Sequence, residues 1–139
     1  MWGKKVPKFA LKKAISLTLL KELGEEKEVS VALVSAAMIR ELNFKYRKKD
    51  LVTDVLAFPL AGKIGPAKDL LGEIIICPEV ASLEAQERGH SLRDELILLV
   101  IHGTLHLLGY RDEREEEKEI MREKEREILR LLGEKYNIV

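Results

Sequence analysis

Two of the three histidines in this sequence, His102 and His106, stand four residues apart in the segment HGTLHLLGYRDE, and Asp112 follows them beyond Gly109. On a helix, positions i and i+4 differ by about 40° in direction and about 6 Å in rise, so both imidazoles project from one face. Gly109 is the residue type that ends a helix in the left-handed conformation and reverses the chain. Asp112 is then free to swing back toward the imidazoles. The pattern His-x3-His-x2-Gly-x2-Asp thus offers two neutral nitrogens and one anionic oxygen to a single ion. Such a set suits zinc, with a fourth position left for water or substrate. Two hydrogen-bonded core histidines are the alternative. Both imidazoles would then need separate partners on one face of an apolar helix, whereas one metal satisfies them together.

A glutamate directly after the first histidine would complete the zinc-peptidase helix and supply its general base. That position is Gly103. The spacing through Gly109 follows the long metzincin pattern, but the proton acceptor of peptide hydrolysis is missing. Glycine inside a helix costs about 0.5–1 kcal/mol relative to alanine. Gly103 therefore marks the close approach of a backbone or a substrate, and a side chain there is expected to crowd the site.

The element that must carry the histidines spans residues 92–108. Ser91 is its N-cap, with Asp94 three residues on. Its stretch LILLVI has no polar face, which describes a central buried helix. Around it the pattern predicts a helix over 8–23 stopped by Gly24, with Phe9, Ala10, Ile15, Leu17, Leu20 and Leu23 apolar. A strand over 28–35 follows, then a helix over 36–47 with Met38, Ile39, Leu42 and Tyr46 on one side. Residues 53–60 read as a short strand, 61–69 as a loop, 72–77 as a buried strand and 79–88 as a helix. The last helix, 113–132, sets Ile120, Met121, Ile128, Leu131 and Leu132 against the core.

One domain over residues 1–139 fits this length, and 46% hydrophobic with 35% charged residues is a globular composition. The net charge is zero, so the whole chain does not announce a nucleic-acid partner. Its halves differ: residues 1–50 hold 12 basic and 6 acidic side chains, residues 51–139 hold 12 and 18. That asymmetry fits either one basic face or ordinary solvated helices. Cys77 is the single cysteine, in the apolar run EIIIC, which excludes an internal disulfide framework and fits a buried thiol in a reducing compartment. The start is basic without an apolar core behind it, unlike a signal peptide, and no uncharged run is long enough to span a bilayer. A cytoplasmic protein without a membrane partner is expected.

HGTLHLLGY, preceded by DELILLVI and followed by a charged helix containing IM, resembles the YbeY family of metal-dependent endoribonucleases. LNFKYRKKDLVTDVLAFPL (42–60) is similar to that family's second signature, and LGEIIIC (71–77) with EAQERGHS (84–91) to its third. The resemblance covers about residues 28 to 130. Asp112 stands where the family has a third histidine, after Arg111 in place of an aspartate. Ala57 replaces a serine and Val52 a proline, and the family's strand before the first helix is missing. A carboxylate is a harder ligand than imidazole, which bears on the identity of the metal.

The resemblance implies an α+β fold, a small mixed sheet packed against helices around a central buried helix with a metzincin-like metal site. Three strands are legible, and the family adds a fourth. It also implies endonucleolytic cleavage of single-stranded or ribosomal RNA, not DNA, in ribosomal RNA maturation and ribosome quality control. By resemblance Arg47 belongs in the active groove, where a guanidinium suits a scissile phosphate; otherwise it is a solvated helix end. Lys45, Lys48 and Lys49 can hold flanking phosphates without reading bases. Asp54 is either a carboxylate that steadies a ligating imidazole or a turn residue. Tyr110 is expected to pack beside the turn, and His90 to lie on the surface. The rivals are a metallohydrolase of another substrate class, peptide included, and a non-catalytic ribosome-associated factor whose metal only holds the turn.

Overall fold

The computed structural model describes residues 6–60 and 70–136. In chain order they form α1 (Lys8–Leu23), β1 (Glu28–Leu33), α2 (Ala36–Arg47), β2 (Val55–Pro59), β3 (Leu70–Ile76), α3 (Pro78–Arg88), α4 (Leu92–Leu107) and α5 (Glu115–Tyr136). This is an α+β architecture. The loop expected over 61–69 lies outside the described residues.

Among the described residues the sheet has three strands in the order β1-β3-β2, with β1 parallel and β2 antiparallel to β3. The family's fourth strand is not among them. β3 is central and covered on both faces, which is why its sequence is a continuous apolar run. Ile74 and Ile76 face the main core, while Ile75 and Cys77 face a smaller cluster under α2 with Ile39 and Leu56. The thiol of Cys77 is fully buried.

α4 is the hub, touching α1, α3, α5, β2 and β3. Ser91 caps it as expected, its Oγ accepting from the Asp94 N–H at 3.1 Å. Ten of its sixteen residues are buried, Glu95 among them. At its far end Gly109 turns the chain with φ +103°, a conformation open to glycine. The peptide N–H of Tyr110 then bonds back to the Leu105 carbonyl at 3.0 Å.

Three helix faces differ from expectation. On α1 the buried set is Ala10, Leu11, Ala14, Leu17, Thr18 and Leu19, whereas Phe9, Leu20 and Leu23 are exposed. Apolar residues surround this helix, so the surface of α4 chooses the face and periodicity does not. On α2 Ile39 and Asn43 are buried, but Met38 and Tyr46 are exposed. On α5 Met121, Ile128 and Leu132 enter the core and Ile120 lies off that face.

Gly103 has a different reason from the expected one. A Cβ there would come within 3.0–3.1 Å of the Ile74 side chain, so its missing side chain lets α4 sit close on β3. The crowding comes from Ile74, and Gly103 also lines a hollow beside His102. Gly72 is tighter: a Cβ would meet Leu107 Cδ2 at 2.5 Å and the Phe58 carbonyl oxygen at 2.6 Å. Because the second neighbour is backbone of the paired strand, nothing can rotate away. Gly72→Ala should lower stability by about 1–3 kcal/mol or more, read as a drop in the denaturation midpoint. An unchanged midpoint would show that β2 moves freely against β3.

Candidate metal centre

Because α4 is helical through both histidines, their rings face each other with centroids 4.6 Å apart at 78°. His102 Nε2 and His106 Nε2 lie 3.1 Å apart. The turn at Gly109 brings Asp112 Oδ2 to 3.2 Å from the first and 3.4 Å from the second. Three donor atoms thus define a small triangle. Ligands about 2.0–2.1 Å from a tetrahedral ion stand about 3.3–3.5 Å from one another, so the set fits such an ion by spacing as well as by chemistry. Among the described residues these three form the one group placed to hold a metal.

His102 is held from behind by a residue that sequence reasoning missed. Its Nδ1 lies 2.5 Å from Oε2 of Glu125, a buried carboxylate on α5. An ionised carboxylate only accepts, so Nδ1 carries the proton and Nε2 turns its lone pair to the site. The signal was there: Glu125 shares the stripe Met121, Ile128 and Leu132 at helical spacing, a charge on the apolar face. Burial opposes charge on His102, but the Glu125 hydrogen bond and the charges of Glu125, Asp112 and Asp54 outweigh it and raise its pKa. For His106 burial, then the neighbouring His102, lower the pKa. The surroundings of the triangle are therefore rich in negative charge that a cation would balance.

Asp54 is not at the imidazole. It lies in the turn before β2, where its carboxylate accepts from Thr53 Oγ1 at 3.3 Å and its carbonyl from the Cys77 N–H. It lines the same hollow as His102. Behind it sits Glu84, whose buried Oε1 has no donor among the described groups. Burial, then a hydrogen bond shared with Asp54 and the charges of Asp54 and Glu95, push the Glu84 carboxyl up to about 7 despite Arg88. Protonated Glu84 is itself the donor. His90 is not a plain surface residue: its Nε2 is 2.5 Å from the fully buried Glu95, which Arg88 grips at 2.8 Å. Tyr110 packs beside the turn as expected, donating its hydroxyl to Glu22 at 2.5 Å.

Arg47, at the end of α2, reaches over to β2. Its Nη2 donates to the Ala57 carbonyl at 2.8 Å and its guanidinium lies over the Phe58 ring at 5.7 Å. Tyr46 meets the same ring edge-on at 5.3 Å. Arg47 therefore stands at the mouth of a hollow of about 220 Å³ that it lines together with His102, His106 and Asp112. A second hollow, about 320 Å³, shares Arg47, Ala57, His106 and Asp112 with the first and is lined further by Pro59, Tyr110, Arg111 and Glu113. Of the three lysines only Lys49 lines the first hollow; Lys45 lies over the Tyr46 ring, and Lys48 forms the left-handed cap of α2.

The sequence profile of the family described as Endoribonuclease YbeY matches residues 3–133, nearly the whole chain. The chain belongs to the YbeY endoribonuclease family. An Endoribonuclease YbeY of Carboxydothermus hydrogenoformans is 49% identical over 120 residues, 86% of this chain and 82% of that one. One from Finegoldia magna is 44% identical over 124 residues, 88% of this chain and 81% of its own. The fold is similar to the solution structure of TM1509 from Thermotoga maritima, with a TM-score of 0.65 and 35% identity over 96% of this chain and 86% of that one. In this chain Asp112 closes the triangle with His102 and His106, a cluster that could hold a metal ion.

Two expectations follow. Glu125→Ala frees the His102 ring and should weaken zinc binding by about 10- to 100-fold in a competition titration with a chromophoric chelator; equal affinity would show that packing alone orients the imidazole. Glu84 holds its proton more tightly folded, about 7, than unfolded, 4.5. Its contribution to stability is thus complete below 4.5 and is lost as pH rises through 7. Glu84→Gln should leave low-pH stability unchanged and raise stability at pH above about 7, in thermal melts across pH. A variant that melts below the parent at pH above about 7 would rule out the shared proton.

Proposed function

We propose that this chain is a metal-dependent endoribonuclease of the cytoplasm that cuts single-stranded RNA, with ribosomal RNA as its substrate class and no action on DNA. The observation that carries this reading is Arg47, fixed by Ala57 and Phe58 above the triangle of His102, His106 and Asp112. A divalent ion held by those three, zinc by the donor set, supplies positive charge for a phosphoryl oxygen and acidifies water.

One Arg47 N–H is committed to Ala57, which fixes the fork, and the remaining donors are left for the non-bridging oxygens of a phosphodiester. Glu125 keeps His102 Nε2 aimed at the ion. Lys49 on one flank holds a neighbouring phosphate as a point charge. The histidine helix is of the metzincin type in its spacing. With Gly103 packed on Ile74 there is no carboxylate beside the first ligand to serve peptide hydrolysis. Moreover, Arg47 occupies the Ala57 carbonyl on the free edge of β2, where an extended peptide would pair. Both features favour RNA over peptide.

Arg47→Ala should keep fold and metal content while lowering RNA cleavage by about ten-fold or more, the loss of one charge-assisted phosphate contact. Arg47→Lys should restore only part, because the planar fork is gone. Wild-type cleavage by Arg47→Ala, measured on a single-stranded RNA with chelator as the blank, would remove Arg47 from the reaction.

A further inference from the structure

The two hollows share Arg47, Ala57, His106 and Asp112, so the metal centre borders both of them. A polymer cut at the centre must leave in both directions. Toward the first hollow it meets Lys49. Toward the second it meets Pro59, Tyr110 and Arg111. A hollow of about 320 Å³ has room for about one nucleotide, and the exposed Pro59 and half-buried Tyr110 give it an apolar side.

Arg111 lines that hollow beside Arg47. Its partner is Glu113 at 2.9 Å, with the two side chains 64% and 71% exposed. An ion pair that open is weak and easily exchanged. A phosphate offers the guanidinium a charge-assisted, bidentate contact, and can take it from Glu113. The carboxylates of Glu113 and Asp112 oppose an anion here, which makes Arg111 and Arg47 the two groups able to accept one on this side.

We propose that Arg111 holds the backbone phosphate of the nucleotide that leaves the metal centre toward Pro59 and Tyr110, so that RNA is gripped on both sides of the cut. This rests on the endoribonuclease reading. The test compares KM and kcat of wild type, Arg111→Ala and Arg111→Lys on a single-stranded oligoribonucleotide of about a dozen nucleotides, over a range of salt.

Arg111→Ala should raise KM about 3- to 10-fold at low salt and leave kcat unchanged. The slope of log KM against log salt should flatten by about 0.7, the contribution of one phosphate on a single strand. Arg111→Lys should keep that slope. An oligonucleotide shortened from one end until it no longer reaches this hollow should be cut equally by wild type and Arg111→Ala. Unchanged KM and salt slope in Arg111→Ala, with wild type cleaving normally, would overturn the subsite and leave the endoribonuclease reading intact. A wild type loaded with zinc that cuts no RNA would overturn both.

Discussion

The hydrogen bond between His102 and Glu125 joins the two demands that this fold has to meet together. α4 must be buried to hold the helices and sheet in place, yet it must also present polar imidazoles at one end. A buried carboxylate on α5 answers that conflict. It satisfies Nδ1, fixes which nitrogen faces outward, and leaves the second histidine to be completed by Asp112 after the turn. Docking of α5 along the stripe Met121, Glu125, Ile128 and Leu132 is therefore inseparable from shaping the site. The helix that closes the core is the one that aims the ligand.

The second support comes from the opposite side, through α2 and β2. Arg47 is long, flexible and exposed at its tip, and such a side chain is costly to hold in one place. Here the Ala57 carbonyl and the face of Phe58 hold it, and Tyr46 backs the ring. The same contact covers the edge of β2 that no described strand pairs, an edge that otherwise invites strand pairing. Gly72, pressed between Phe58 and Leu107, sets how closely β2 and α4 approach β3. The separation between Arg47 and the histidines is thus a property of the core.

Charge completes the picture. Asp112 brings a carboxylate into the triangle, Glu125 bonds His102 from behind and Asp54 lines the same hollow, which Arg47 and Lys49 line as well. Carboxylates inside and cations at the rim suit a site that takes a metal in its depth and a polyanion across its mouth. Burial and the neighbouring Asp54 raise the Glu84 carboxyl to about 7, which tempers the acid charge near the hollow.

By itself the sequence determined every element type among the described residues and nearly every boundary to within two residues, because caps, glycine stops and apolar runs are local signals. The spacing of His102, His106, Gly109 and Asp112 also made the convergence of the two imidazoles and the carboxylate legible, since helical geometry and one turn relate those residues without help from the rest of the chain. Which face each helix buries was decided only on packing: α1 is apolar on most sides, and Phe9, Leu20 and Leu23 lost to smaller residues that fit α4 more closely. Glu125 and His102 are twenty-three residues apart in different helices, and Glu95 lies buried between Arg88 and His90. No local pattern pairs such groups. The close contact at Gly103 was foreseen, but its partner, the Ile74 side chain of β3, needed the sheet in place. Residue spacing fixes what one helix can present, and only tertiary packing brings the partners that make it work.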